Sequence, residues 1–214
     1  MSDRAIIPTD PYNLIITGVG GQGNVLASRL VGEMLSRLGL QVTIGETFGA
    51  SQRGGSVMSH IRVSHSASFS PQIPAGRAHM VVALEPTEAL RVLKTYGNPE
   101  IMVLCNTRPI HSIGVICGEQ AYPALDDIKR WIRELSRASW FIDATEAAVG
   151  LGSPVLGNVI CVGALAATGV LPLDRALFET VLESRMTADK VSLNLLAYNA
   201  GEAMVINRAP HKIQ

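Results

Sequence analysis

Apolar positions along this chain switch between an uninterrupted run and a spacing of three to four, and the switching predicts a succession of strands and helices. Leu14-Ile15-Ile16 is a continuous apolar run, the pattern of a strand buried on both faces of a parallel sheet. After a glycine-packed turn, Leu26, Leu30 and Met34 recur every four residues with Val31, Leu35 and Leu38 alongside. Arg29, Glu33 and Arg37 mark the opposite, solvated face at i,i+4 spacing, and Gly39 stops the helix. Residues 41–47 and 56–63 read as the next two strands. The run 80–84 is a strand that halts at Glu85-Pro86, with a helix over 87–94 whose first turn accepts the proline. Residues 101–105 form another buried-type strand before the turn Asn106-Thr107-Arg108-Pro109. A helix follows over 126–135, then a short strand over 140–142 ending at Asp143. The last third reads as helices over 158–168, 174–184 and 190–206, interrupted at Gly169 and Pro172. The pattern predicts one α/β domain over residues 1–214: a three-layer, Rossmann-like architecture with a mostly parallel sheet and a helical C-terminal section.

Composition narrows the function classes. With 214 residues and 47% hydrophobic content, the chain can bury a substantial single core. Charged residues make up 17%, and 18 basic residues balance 18 acidic ones with no run of either sign. Nucleic acid is therefore not an expected partner, since phosphate backbones demand a concentrated basic field. The longest apolar stretches are broken by glycine, asparagine and threonine, so no membrane span is expected. The start Met1-Ser2-Asp3-Arg4 lacks a signal-peptide layout, and Cys105, Cys117 and Cys161 are odd in number and far apart. A cytoplasmic protein without a disulfide framework is the expectation.

Candidate chemistry concentrates in two glycine-rich loops. The first, Gly18-Val19-Gly20-Gly21-Gln22-Gly23, fits the Gly-x-Gly-x-x-Gly dinucleotide fingerprint, following a strand and opening a helix at Asn24. Glu46 stands where such folds carry a ribose-binding acid. The helix start offers unpaired N–H groups and a partial positive charge to an anion. A tight structural turn explains the same glycines. The second loop, Ser51-Gln52-Arg53-Gly54-Gly55, has no place in an ordinary dinucleotide fold. Arg53 offers a planar fork of donors for a carboxylate, phosphate or pyrophosphate, or for an ion pair within its own loop. No spacing of Cys or of His60, His65, His79, His111 and His211 fits a metal or iron–sulfur site, and His60 and His65 read as strand-end residues.

Both loops together resemble the gamma-type subunit of 2-oxoacid:ferredoxin oxidoreductases, and within it the beta subunit of indolepyruvate ferredoxin oxidoreductases. The likeness continues through Glu85-Pro86-Thr87-Glu88-Ala89-Leu90-Arg91, Asn106-Thr107-Arg108-Pro109-Ile110, Tyr122-Pro123, Gly157-Asn158-Val159 with Gly163-Ala164-Leu165, and Asn194, Ala197-Tyr198 and Gly201. The resemblance implies a complex that oxidatively decarboxylates a 2-oxoacid to acyl-CoA and reduces ferredoxin. It implies thiamine diphosphate, magnesium and iron–sulfur clusters on a larger partner subunit, coenzyme A as acyl acceptor, and no cofactor or complete active site on this chain. The substrate side chain stays open between an arylpyruvate and another 2-oxoacid.

Site candidates for ligand or interface contact are thus Gly18, Gly20, Gly21, Gln22, Gly23 and Asn24 with Ser51, Gln52, Arg53, Gly54 and Gly55. Glu85, Asn106, Arg108 and Pro109 follow apolar strands and stand at the same expected sheet edge, where Glu85 also fits a helix cap and Asn106 a turn support. Gly157, Asn158 and Gly163 read as a small-residue packing surface, and Trp131 and Trp140 as core or interface aromatics. Three functions compete: an accessory subunit of an oxidoreductase complex, a free-standing NAD(P)- or FAD-binding enzyme, and an assembly scaffold.

Overall fold

The computed structural model describes residues 6–49, 55–207 and 210–212. Among the described residues, seven strands form one sheet: β1 (Tyr12–Val19), β2 (Gln41–Phe48), β3 (Ser56–Ser64), β4 (Met80–Ala83), β5 (Met102–Asn106), β6 (Ala138–Ile142) and β7 (His211–Lys212). Their order is β2-β3-β1-β4-β5-β6-β7. Parallel pairing joins β1, β4, β5 and β6, while β3 runs antiparallel to both its neighbours and β7 antiparallel to β6. Five of the seven strands therefore share one direction.

Eight α-helices flank the sheet among the described residues. They are α1 (Asn24–Arg37), α2 (Pro86–Tyr96), α3 (Ile113–Ile116), α4 (Leu125–Glu134), α5 (Ala144–Gly150), α6 (Gly157–Ala167), α7 (Arg175–Glu183) and α8 (Ala188–Ile206). Alternate residues of the central strands feed two cores. Leu14, Ile16, Met80, Val82 and Leu104 pack with α1 and α5 to α8, whereas Ile15, Val81, Ala83 and Val103 pack with α2 and α4. That two-sided burial is why these strands are continuous apolar runs in sequence. The helical C-terminal section covers one face alone, giving the three layers expected.

Local details differ from the expected ones for physical reasons. In α1 the buried stripe is Ala27, Leu30, Val31, Met34 and Leu35, while Leu26 and Leu38 are turned to solvent. Arg37 pairs with Glu33 at 2.9 Å as the spacing requires, but Arg29 reaches out of its helix to Glu46 on β2 at 4.0 Å. Helix α7 starts where the Asp174 carboxylate accepts the Leu177 N–H at 2.7 Å. Helices α3 and α5 and strand β7 escape pattern reading because each is too short to express a period. His60 is not a strand-end residue: it lies within β3 opposite Ile15, buried, with its Nδ1 accepting the Ile73 N–H and its ring edge-on to Tyr96. Among the described residues, no helix is long and apolar enough to cross a membrane.

The tightest packing joins α6 to α8. A Cβ on Gly201 would overlap the Ile160 carbonyl oxygen, and one on Gly163 would overlap the Tyr198 carbonyl oxygen. Both obstacles are backbone, so neither can rotate away. Replacing Gly201 with Ala is expected to cost about 3 kcal/mol, at the upper part of the overpacking range. Thermal unfolding should show this as a fall in Tm of roughly 10 °C.

Two histidines set an acid limit. Burial holds His60 below its ordinary value of 6.5. Burial does the same to His79, aided by the Arg77 charge, and the His79 Nδ1 accepts the Asn13 N–H at 2.9 Å. The unfolded chain protonates these groups first as pH falls, so stability present above pH 6.5 is lost towards the lower folded values. Tm should therefore decline on acidification below pH 6.5, and His79→Gln, which keeps an acceptor for Asn13, should flatten part of that slope.

Candidate functional site

The first glycine loop closes β1 and opens α1 at the sheet's carboxyl edge. Gly23 caps α1 with φ of 84°, and Gly21 sits at φ of +100°, where a side chain would be strained although nothing crowds it. Gly18 is needed for a different reason. A Cβ there would lie 2.6 Å from Gln22 Oε1 and 2.7 Å from Asn24 Oδ1.

Gln22 is a strut. Its Oε1 accepts the Val19 N–H at 2.7 Å, and its Nε2 donates to the Leu84 carbonyl at 2.8 Å, tying the turn to the end of β4. Asn24 Nδ2 donates to the Val19 carbonyl at 3.2 Å. The second loop joins the same edge, because the Gly55 carbonyl accepts the Gly20 N–H at 2.8 Å and Val19 stands opposite Ser56 in the ladder. The structure thus brings Gly18, Gly20, Gly21, Gln22, Gly23, Asn24 and Gly55 together. Ser51, Gln52, Arg53 and Gly54 lie outside the described residues.

Asn106, at the end of β5, clamps three elements. Its Nδ2 donates to the Leu84 carbonyl and to Thr145 Oγ1, each at 2.9 Å, and its Oδ1 accepts the Thr145 N–H at 3.3 Å. Thr107 Oγ1 donates to Asp143, closing β5 onto β6. Glu85 is fully buried and indeed caps α2: its Oε2 accepts from Glu88 N at 2.9 Å and Thr87 Oγ1 at 2.6 Å. Its Oε1 takes Tyr122 OH at 2.6 Å and the Ile110 N–H at 3.3 Å. One carboxylate therefore fixes both feet of the segment 110–122. Burial, and then this carboxylate, push the Tyr122 hydroxyl well above its ordinary range, so it stays a donor.

Beside the Ile110 end of that segment lies a cavity of about 510 Å³, bordered by Gly20, Gly21, Gln22, Asn106, Arg108 and Asn158 among others. Asn106, Arg108 and Pro109 do share the edge with the glycine turn. Among the described residues, no carboxylate borders it. A second cavity of about 440 Å³, between Gly55, Glu88 and Tyr122, touches the first only through Ile110. Thr145, Asn158 and Cys161 also border the first cavity, and sequence reading assigned none of them to a site. The signal for Asn158 was a lone polar residue inside the apolar run of α6, whose carboxamide Nδ2 donates to the Gly23 carbonyl at 3.3 Å. Cys161 is buried and its thiol pushed up to about 12, so it is a neutral wall.

The dinucleotide reading of the turn loses its geometry here. In that fold the second strand pairs in parallel beside the first; here antiparallel β3 takes the place next to β1 and β2 lies beyond it. Glu46 is consequently two strands from the turn and pairs with Arg29. The residues do not fit a metal or cluster either: among those described, no group of three or more His, Cys, Asp or Glu could hold an ion.

The pyruvate ferredoxin/flavodoxin oxidoreductase family profile matches residues 13–204. Subunit IorB of the indolepyruvate oxidoreductase of Archaeoglobus fulgidus is 36% identical over 201 residues, covering 94% of this chain and 98% of that one. IorB of Pyrococcus horikoshii is 35% identical over 191 residues, covering 89% and 94%. Among solved structures, the gamma subunit of a keto/oxoacid ferredoxin oxidoreductase from Geobacter sulfurreducens superposes with a TM-score of 0.64 at 20% identity, over 92% of this chain and 99% of that one. The 2-oxoglutarate:ferredoxin oxidoreductase of Magnetococcus marinus, with 2-oxoglutarate, coenzyme A and succinyl-CoA bound, gives a TM-score of 0.74 at 18% identity. That match covers 94% of this chain and 32% of the larger one. The resemblance read from the motifs is borne out, and the chain belongs to the pyruvate ferredoxin/flavodoxin oxidoreductase family.

Proposed function

We propose that the chain is the smaller subunit of a cytoplasmic complex that oxidatively decarboxylates an arylpyruvate of the indolepyruvate type to its acyl-CoA and passes the electrons to ferredoxin. The observation that carries this reading is the likeness to the IorB subunits along nearly the whole length of both chains. Thiamine diphosphate, its magnesium ion and the iron–sulfur clusters belong on the larger partner subunit, as the resemblance implies; among this chain's described residues no group of three or more His, Cys, Asp or Glu could hold a metal ion. No step of decarboxylation is therefore assigned to its side chains.

Within that complex, the cavity beside the glycine turn is the part of this chain that receives coenzyme A. Several features support the reading. The turn Gly20-Gly21-Gln22, which leads into the helix start at Asn24, borders the cavity, Arg108 stands exposed on its rim, and among the described residues no carboxylate opposes an anion there. Gly21 keeps the backbone bare on the cavity side. The strut Gln22 holds the turn open by filling the space under Gly18 and leaving the outer surface free. Bound coenzyme A supplies the thiol that accepts the acyl group. This chain's residues bind its anionic portion, orient it and close the cavity from the sheet side. Arg53, on the second loop, serves the same ligand or the subunit contact around it, on the strength of its planar donors.

Three measurements bear on this reading. Gly21→Val, forced to φ of +100°, should raise KM for coenzyme A in the assembled complex by about tenfold or more while leaving the subunit folded by circular dichroism. Unchanged KM would make the loop a turn only. Gln22→Glu keeps the acceptor for Val19 but sets a carboxylate against the Leu84 carbonyl, and should destabilise the subunit by about 1–3 kcal/mol in denaturant titration. Arg53→Lys retains charge and loses the fork, so KM for coenzyme A or the oxoacid should rise severalfold. If both constants stay at the wild-type value, Arg53 contacts neither ligand.

A further inference from the structure

Helix α8 turns an uncharged face to solvent. Helices α1, α4 and α7 cover their outer faces with charge: Arg29 and Arg37 stand exposed on the first, Arg130 and Glu134 on the second, Arg175 and Glu183 on the third. Past the first turn of α8 the exposed positions are Ser192, Leu193, Leu196, Asn199, Ala203 and Ile206, none of them ionisable. Leu196 is 56% exposed and Leu193 37%. The helix cannot turn to hide them, because a Cβ on Gly201 would already overlap the Ile160 carbonyl oxygen of α6. A helix apolar on its outer as well as its inner side is one that is covered on both.

The outer apolar residues fall on one line. Leu193, Leu196, Ala200 and Ala203 recur at intervals of three and four, the spacing of a coiled-coil seam, about 15 Å long at 1.5 Å per residue. Asp189 and Asn207 continue the same line at its two ends. Two leucines followed by two alanines make a surface that complements itself when reversed. In an antiparallel pair about a two-fold axis level with Tyr198, Leu196 of each copy meets Ala200 of the other, and Leu193 meets Ala203. Every layer then holds one large and one small side chain, as close packing requires. Asp189 meets Asn207, whose Nδ2 gives one hydrogen to the Ala203 carbonyl at 2.8 Å and keeps the second for a carboxylate. The two helix dipoles also oppose each other favourably. A parallel pair would crowd Leu on Leu, leave voids between alanines and set Asp189 against Asp189. Such self-complementarity is what an isologous contact needs, and an unrelated partner would not require it.

We propose that the outer face of α8 is a contact between two copies of this chain, packed antiparallel about a two-fold axis. The contact goes beyond the activity proposed above and is independent of it, since α8 contributes no residue to either cavity at the glycine edge. One helix pair buries less than the roughly 800 Å² per partner of a standard interface, which puts dimerisation of the isolated chain in the micromolar range.

Sedimentation equilibrium of the full chain over about 1–500 µM reads this association, and wild type should pass from monomer to dimer within that range. Leu196→Glu, at an exposed position, should raise the dimer dissociation constant by about 30-fold or more with circular dichroism unchanged. Ala200→Lys should weaken self-association as well. Mixed in equal amounts, the two variants should recover the dimer, because the antiparallel register sets the substituted carboxylate of one copy against the substituted ammonium of the other. A chain that stays monomeric throughout overturns the inference, as does a dimer that Leu196→Glu leaves intact or a mixture of the two variants that fails to pair. If wild type is monomeric and Leu196→Glu abolishes co-purification with the larger subunit, the face belongs to that subunit; the inference then falls while the proposed activity stands.

Discussion

The approach of α6 to α8 at Gly163 and Gly201 is the constraint on which the functional edge rests. At both positions the neighbouring obstacle is a backbone carbonyl of the facing helix, so hydrogen is the only side chain that fits. Close approach seats α6 against the sheet and presents Asn158 from its first turn. Asn158 in turn crowds Gly23, where a Cβ would overlap its carboxamide, and bonds to the Gly23 carbonyl. The conformation of a loop after β1 is thus set partly by two helices more than a hundred residues later in the chain. A helix pair without a single charged contact at its crossing governs how a polar site is shaped.

The sheet order separates this dinucleotide-type turn from the strand neighbour it has in an ordinary dinucleotide fold. Placing antiparallel β3 between β1 and β2 brings the second glycine loop to the first, through the Gly20 to Gly55 hydrogen bond. It also moves Glu46 away from the turn and leaves it to Arg29. The same fingerprint therefore appears on an edge with no ribose-binding acid and with an amide strut, Gln22, bridging to β4. Family membership makes the chain that carries this turn a subunit of a 2-oxoacid oxidoreductase.

Much of this is legible in the sequence. The apolar runs at Leu14-Ile15-Ile16, at 80–84 and at 101–105 declare strands buried on both faces, and they form the parallel centre of the sheet. Glycine spacing located the turn, and the residues after the strands located its edge, including Asn106 and Arg108. Strand order was not readable, because an antiparallel insertion leaves no trace in the period of the apolar residues. Asn158 was read as packing since sequence shows the small residues of α6 but not the hydrogen bond from its first turn to Gly23. His60 was misplaced for a related reason: a lone polar residue in a strand does not reveal that its ring is buried against Tyr96. Cavity walls contributed by Thr145 and Cys161 come from helices far along the chain, where only tertiary packing creates the neighbourhood.

Glu85 leaves one mechanical result. Its two oxygens divide their partners, one serving the start of α2 and the other both the Ile110 amide and the Tyr122 hydroxyl. Displacing either foot of the intervening span strips a proton donor from a charge with no access to solvent, and the remaining foot feels the change at once. The span 110–122 consequently resembles a bracket on one rivet, with both ends bound to a single side chain and Ile110 forming a wall of both hollows.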